Sequence, residues 1–252
     1  MEGKTIAALT AAGAGGLGLL LLLSRIGAGK RPGPAPAAGR GYVTINGRNI
    51  PTSFPVNHSR KFRVGTSGTA RRTQPIVGGV LHWTAAENPG NRVFSTLSHR
   101  GISVHFAMDR DGTVWQFADP GTTTSTNAGH SLGEKTWAIE IASYGMAPAS
   151  RIPEIGRDRP VYEAEVHGRV RPMADFYPAQ YRNLFELANI IHDELRIPKE
   201  VVLEPVAFVP WARLRNARGI LGHYHASHDK KDPGPRIMQR LARQPGWRAT
   251  AI

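Results

Sequence analysis

Gly79-Val80-Leu81-His82-Trp83-Thr84-Ala85 is one of two stretches that decide how this chain reads; Ile220-Leu221-Gly222-His223, running on to Lys230-Lys231-Asp232-Pro233-Gly234-Pro235, is the other. Each begins as an apolar, β-prone run and ends on a histidine. Strand ends are where a fold can aim side chains into a cleft. Nine residues after the second histidine comes a carboxylate on a Pro/Gly turn. Two imidazoles and a carboxylate are one sufficient set for a catalytic zinc that keeps its fourth position for water. The pattern predicts a zinc hydrolase.

Working outward, residues 76–82 read as a strand, 91–100 as a helix and 102–108 as a strand. Asp109-Arg110-Asp111-Gly112 is a hairpin turn into a strand over 113–117, and 137–142 is a further strand. Residues 143–177 read as a long, irregular insertion with a hairpin near 161–170. Tyr181, Leu184, Leu187, Ala188, Ile191 and Leu195 share one helical face, with Pro178 suited to the first turn. Upstream, 42–50 alternates around Asn46-Gly47, which suits a small hairpin, and the Arg60-Lys61-x-Arg63 and Arg71-Arg72 clusters read as a solvated basic arm. The fold class expected is α/β: a mixed central β-sheet flanked by helices, rather than a regular doubly wound fold. The organisation expected is a transmembrane or signal-anchor segment over 1–24, a linker over 25–40, a basic extension over 41–73, a catalytic domain over 74–245 and a tail over 246–252.

Composition bounds the chemistry. The 252 residues, 40% of them hydrophobic, are enough for one substantial core. There is no cysteine, so disulfides, Cys-rich zinc fingers and thiol nucleophiles are excluded, and any metal must take N and O ligands. Against 19 acidic residues stand 32 Lys and Arg, a net charge of +13 that favours an anionic polymer or surface. Nucleic acid, anionic lipid and bacterial envelope polymers all qualify on charge. No basic helix or aromatic-basic stacking pattern is present, so no nucleic-acid partner is expected.

Residues 6–23 carry no charge, and 18 helical residues span roughly 27 Å, near the lower limit for a bilayer. The run is followed by Arg25, Lys30, Arg31 and a Pro/Gly/Ala linker, and it reads as a membrane segment, anchor or uncleaved signal. Its first half is weak, with Gly13, Gly15, Gly16 and Gly18 among alanines. The basic C-terminal flank would keep the catalytic part in the cytoplasm by the positive-inside rule, whereas an envelope-degrading enzyme needs the opposite side.

Four segments occur in order: Val80-Leu81-His82-Trp83-Thr84-Ala85; Ser103-Val104-His105-Phe106-Ala107-Met108-Asp109-Arg110-Asp111-Gly112-Thr113-Val114; Ala138-Ile139-Glu140-Ile141; and Gly222-His223 running on to Lys230-Lys231-Asp232-Pro233-Gly234-Pro235. Together, over about residues 74–245, they resemble the zinc-dependent N-acetylmuramoyl-L-alanine amidases of the type 2 family, related to phage T7-type lysozyme and peptidoglycan recognition proteins. The resemblance implies His82, His223 and Asp232 as zinc ligands, Glu140 as the catalytic acidic residue and Lys230 as the lysine facing the reacting carbonyl. It also implies cleavage of the amide between N-acetylmuramic acid and the L-alanine of the stem peptide, with peptidoglycan or muropeptides as substrate and a monomeric enzyme. A weakly hydrophobic N-terminal segment on such an enzyme resembles the signal-anchor arrangement of some phage endolysins; a membrane-tethered bacterial remodelling or recycling amidase accounts for the same residues. Either setting puts the protein at the membrane or exported to the cell envelope.

Several residues compete for roles. Lys231 rivals Lys230, with the spacing to Asp232 favouring Lys230. His105 either supports a ligand, lines the substrate groove or is structural. His225 and His228, between two candidate ligands, are expected to be solvent-exposed. Where the family commonly shows His-Ala-Gly before the catalytic-acid strand, this chain has Asn127-Ala128-Gly129-His130. Either Asn127 stands in for that histidine or His130 reaches the same space. A non-catalytic peptidoglycan-binding protein is the alternative reading, against which the intact triad, Glu140 and Lys230 all argue.

Overall fold

The computed structural model describes residues 41–58, 69–87, 89–126, 128–147 and 149–252. The expected membrane segment at 6–23, Arg60-Lys61-x-Arg63 and Asn127 lie outside the described residues. Among the described residues, no helix is long and apolar enough to cross a membrane.

The elements are β1 (Tyr42–Ile45), β2 (Arg48–Pro51), β3 (Val56–Asn57), β4 (Gly78–Trp83), α1 (Gly90–His99), β5 (Phe106–Met108), β6 (Val114–Gln116), α2 (His130–Gly133), β7 (Thr136–Ile141), α3 (Ile152–Asp158), β8 (Val161–Val166), β9 (Arg169–Ala174), α4 (Pro178–Glu194), β10 (Glu200–Glu204), α5 (Trp211–Leu214), β11 (Gly219–Gly222), α6 (Pro235–Ala242) and β12 (Arg248–Ala251). Eight strands form one sheet in the order β12-β10-β11-β4-β7-β5-β6-β3. The pairs from β12 across to β5 are parallel, β5–β6 is antiparallel and β6–β3 is parallel. The sheet is mixed and central, as the sequence predicts.

Strand alternation divides the sheet into two buried faces. Leu81, Ile139, Ile141, Phe106 and Ile220 pack with Tyr181, Leu184, Leu187, Ala188 and Ile191 of α4 and with Ile237, Met238 and Leu241 of α6. On the other face, Ala107 and Ala138 meet Val93 and Leu97 of α1, while Val80 and Leu221 meet Leu132 and Leu214. Close approach within the first face needs Gly79: a Cβ there would sit 2.3 Å from Trp137 Cε2, its register partner's indole.

Local signals explain the element ends. Helix α1 stops where Gly101 adopts φ 67, with Gly101 N–H donating to Ser98 O (3.2 Å) and Ile102 N–H to Leu97 O (3.0 Å). Helix α4 starts on Pro178, and Gln180 Oε1 accepts the Tyr177 N–H at 3.0 Å. The β1–β2 turn has both Asn46 (φ 50) and Gly47 (φ 72) left-handed, the two-residue turn that matches strand twist.

Two sequence boundaries and the solvated-arm expectation need correction. Residues 41–73 are not a separate extension: Val43, Ile45 and Phe54 are buried in the main core, and β3 is an edge strand of the sheet. Arg72 is no solvated arm residue, since its guanidinium donates to the carbonyls of Pro120, Glu134 and Thr136. The tail over 246–252 supplies β12, the opposite edge strand, and Trp247 joins the core. Short strands at chain ends carry too little apolar pattern to be read before their partner strand is known. The insertion is more regular than expected, with α3 followed by the antiparallel β8–β9 hairpin.

His105 is a strand-bridging residue. It is fully buried; Ala138 N–H donates to its Nδ1 (3.0 Å), so Nε2 carries the proton and donates to Thr123 O (3.0 Å). Burial, reinforced by the charge of Arg72, lowers its pKa to about 3. The unfolded chain takes up a proton near pH 6.5 that the folded chain refuses until near pH 3. This histidine therefore leaves stability intact above pH 6.5 and drains it as pH falls through that window. Urea unfolding of His105→Gln between pH 6 and 4 should show an acid limb shallower by one proton, about 1.4 kcal/mol per pH unit. An unchanged slope would contradict the buried neutral imidazole.

Candidate metal centre and cleft

Three parallel neighbours, β11, β4 and β7, build the site at their C-terminal ends. Leu221 is opposite Val80 and Gly222 opposite Leu81, so His223, one residue past β11, arrives beside His82. On the other side His82 is the register partner of Glu140, so both side chains leave the sheet on the face covered by α1. Asp232 returns from the loop after His223, its carbonyl accepting the Tyr224 N–H at 3.2 Å. A cleft of about 290 Å³ opens there, lined by His82, Glu140, His223, Asp232, Lys230 and Lys231, with Trp83, Met146, Val93, Thr96, Leu97 and Arg100 among its walls. Ligand sites at the carboxyl ends of parallel strands are the general rule for open α/β sheets.

The donor atoms converge. His82 Nδ1 lies 2.9 Å from His223 Nδ1 and 3.2 Å from Asp232 Oδ2, and His223 Nδ1 lies 2.9 Å from the same oxygen. These three residues are the potential metal-holding group among the described residues, and all three are buried. Zinc bonds of about 2.0–2.2 Å to N and O in a tetrahedron set donor separations of roughly 3.3 Å, which these approach. Two imidazole nitrogens this close, with a carboxylate between them, are a donor set that a cation satisfies. The residues fit zinc.

Electrostatics agree with that chemistry. Burial lowers the His82 pKa to about 4, aided by His223 and Lys230 and opposed by Asp232, which leaves its imidazole neutral at pH 7. Burial pushes the Asp232 carboxyl up, but the hydrogen bonds and charges of His223 and His82 outweigh it and hold it below the usual carboxylate range. The His82 imidazole is therefore unprotonated and the Asp232 carboxyl ionised, the forms that metal binding requires. His82 Nε2 is buried with no hydrogen-bond partner, so packing rather than an outer hydrogen bond orients that ring.

The structure separates the competing residues. Lys231 Nζ donates to His228 O (3.4 Å) and Asp229 O (2.6 Å), closing its own loop, while the Lys230 charge acts on His82. His105 is not among the cleft residues. His130 is exposed, paired to Glu134 at 3.0 Å, and does not line the cleft either. His228 is exposed as expected, but His225 is fully buried, its Nδ1 accepting the Gly222 N–H at 3.1 Å. Sequence reasoning missed His167, whose ring reaches the Lys230 carbonyl at 2.7 Å from the β8–β9 turn. His167-Gly168 is legible as a hairpin turn, not as a neighbour of the site.

No curated protein matches the chain. Among solved structures it is similar to the E. coli N-acetylmuramyl-L-alanine amidase AmiD, in complex with anhydro-N-acetylmuramic acid-L-Ala-D-gamma-Glu-L-Lys. Identity there is 19% and TM-score 0.44, covering 79% of this chain and 65% of AmiD, so the chain spans just under two thirds of that protein. It is similar as well to Manduca sexta peptidoglycan recognition protein-1 (14% identity, TM-score 0.47, 76% of this chain, 91% of that one). A third likeness is the amidase LysC from Clostridium intestinale (15%, TM-score 0.41, 69% and 94%). The model of the Amidase_2 family, N-acetylmuramoyl-L-alanine amidase, matches residues 72–235, which include His82, Glu140, His223 and Asp232. With well over half of its length matched, the chain belongs to the N-acetylmuramoyl-L-alanine amidase family.

Proposed function

We propose that this protein hydrolyses the amide bond between N-acetylmuramic acid and L-alanine in peptidoglycan or its fragments, using zinc held by His82, His223 and Asp232. The observation that carries the reading is the convergence of those three donors, 2.9–3.2 Å apart, in a cleft inside the family-matched segment. Zinc bound there would supply a Lewis acid and a water acidified toward a pKa of about 7. The rest falls to side chains. Glu140, beside His82 across the β4–β7 pair, accepts the proton of the attacking water and returns it to the leaving amine of L-alanine. Lys230, on the cleft wall, donates to the carbonyl oxygen as it gains negative charge. No covalent enzyme intermediate is required. Mass spectrometry of sacculi digested with the protein tests the bond: peptides with a free L-alanine amino terminus are expected. Sacculi bound but left uncut would instead favour a recognition module.

Ligand and proton-transfer roles separate by metal content. His82→Ala and His223→Ala should lose both zinc and activity. Glu140→Gln should keep about one zinc per chain while the rate falls roughly 10²–10⁴-fold. Zinc loss in Glu140→Gln, measured by elemental analysis, would move that carboxylate into the metal's ligand set.

The proposal extends to the N-terminus and the setting. Residues 6–23 associate with membranes, weakly because glycine contributes little apolar area, and the enzyme works at the cell envelope. Full-length protein should fractionate with membranes, and deleting residues 1–40 should release a soluble, active domain. Replacing Gly13, Gly15, Gly16 and Gly18 with leucine should make carbonate extraction fail. A wholly soluble full-length protein would sink the membrane reading.

A further inference from the structure

The loop that carries Lys230 is held from outside itself. Its own bonds are few: Lys230 N–H donates to Ser227 O at 3.3 Å, and Lys231 closes on His228 O and Asp229 O. The rest comes from the β8–β9 hairpin of the insertion. His167 sits at the tip of that hairpin with φ 55, followed by Gly168 with φ 69, and its backbone N–H donates to Val206 O at 3.1 Å. The His167 ring then bridges two segments. Phe208 N–H donates to Nδ1 at 3.1 Å, so the ring proton is on Nε2, which donates to Lys230 O at 2.7 Å. The His228 ring packs over Phe208, centroids 4.0 Å apart, and clasps the loop a second time. Asp232 has a separate anchor, through Tyr224 N–H.

We propose that His167 is a positioning residue for Lys230. By fixing the Lys230 carbonyl it sets where the ammonium stands over the cleft, and it makes the hairpin insertion part of the catalytic apparatus. The inference rests on the role given to Lys230 above. Because Asp232 is tied elsewhere, His167 governs the lysine and leaves the metal ligands in place.

Two substitutions split the two hydrogen bonds. His167→Asn keeps an acceptor near Phe208 N–H, tolerates the left-handed backbone and loses the donor to Lys230. His167→Gln reaches far enough to donate to Lys230 O and gives up the Phe208 acceptor. In full-length, zinc-loaded protein acting on a muropeptide, His167→Asn should lower kcat roughly five- to tenfold, the size of one lost hydrogen bond, with KM within about twofold. His167→Gln should recover most of the loss, and both should retain zinc. In a Lys230→Ala background His167→Asn should cost nothing further. Amide exchange of residues 227–231, which needs no substrate, should quicken in His167→Asn and stay slow in His167→Gln. Equal loss with and without Lys230, equal loss in both His167 variants, loss of zinc or unchanged exchange would each overturn the proposal. A Lys230→Ala enzyme with wild-type kcat would overturn the lysine's role and this proposal with it, whereas absence of amidase activity in the unmodified protein is a failure of the proposed function. The exchange measurement distinguishes that failure from a failure of His167 to order the loop.

Discussion

The in-register parallel pairing of β11, β4 and β7 is the constraint on which the rest depends. Side chains alternate along a strand, so a one-residue slip between β4 and β7 would turn either His82 or Glu140 to the α4 side. The register is held by residues that could not be moved. Gly79 meets the Trp137 indole, and a Cβ on Gly78 would fall 1.8 Å from Gly219 O, so two strand pairs are locked by approaches that only glycine permits. Leu81, Ile139 and Ile220 then secure the opposite face against α4 and α6. Apolar packing on one side of the sheet fixes polar geometry on the other.

The insertion over residues 143–177 serves the same end from above. Arg159, at the end of α3, is almost fully buried and ion-paired with Glu87, in the loop that leaves β4 after His82. Its guanidinium also donates to Tyr177 Oη (2.8 Å) and Asp175 O (3.1 Å), and Arg110 reaches Glu87 at 2.7 Å. A buried pair is costly to desolvate and costlier to break, so this network ties the end of α3 to the loop after β4. The β8–β9 hairpin follows α3, and its tip reaches the Lys230 loop through His167. Asp175, accepting from Tyr181 and Arg236 and ion-paired with Arg240 at 3.5 Å, links the same segment to α4 and α6.

The three donor residues come from separate places in the chain and could hold a metal without cysteine. His82 and His223 are delivered by strands, and their positions are as rigid as the sheet. Asp232 is delivered by a loop tied through Tyr224 N–H. The cleft above them combines cations (Arg100, Lys230 and Lys231) with apolar walls from Trp83, Met146 and Val93.

From the sequence alone the two histidines, the carboxylate on its Pro/Gly turn, Glu140 within an alternating strand, and the Asn46-Gly47 and Asp109–Gly112 turns were legible. All are local patterns: strand-end position, period-two alternation and turn chemistry. The α4 stripe from Tyr181 to Ile191 was legible for the same reason, at period 3.6. What only the tertiary structure decided was which of several similar residues met. Lys230 and Lys231 are adjacent in sequence and both line the cleft, yet Lys231 closes its own loop while the Lys230 charge acts on His82; His105 and His225 are buried structural histidines, and His167 is a neighbour of the site. Edge strands β3 and β12, too short to announce themselves, became sheet only beside β6 and β10. Those outcomes depend on contacts between segments far apart in the chain, which no window of sequence contains.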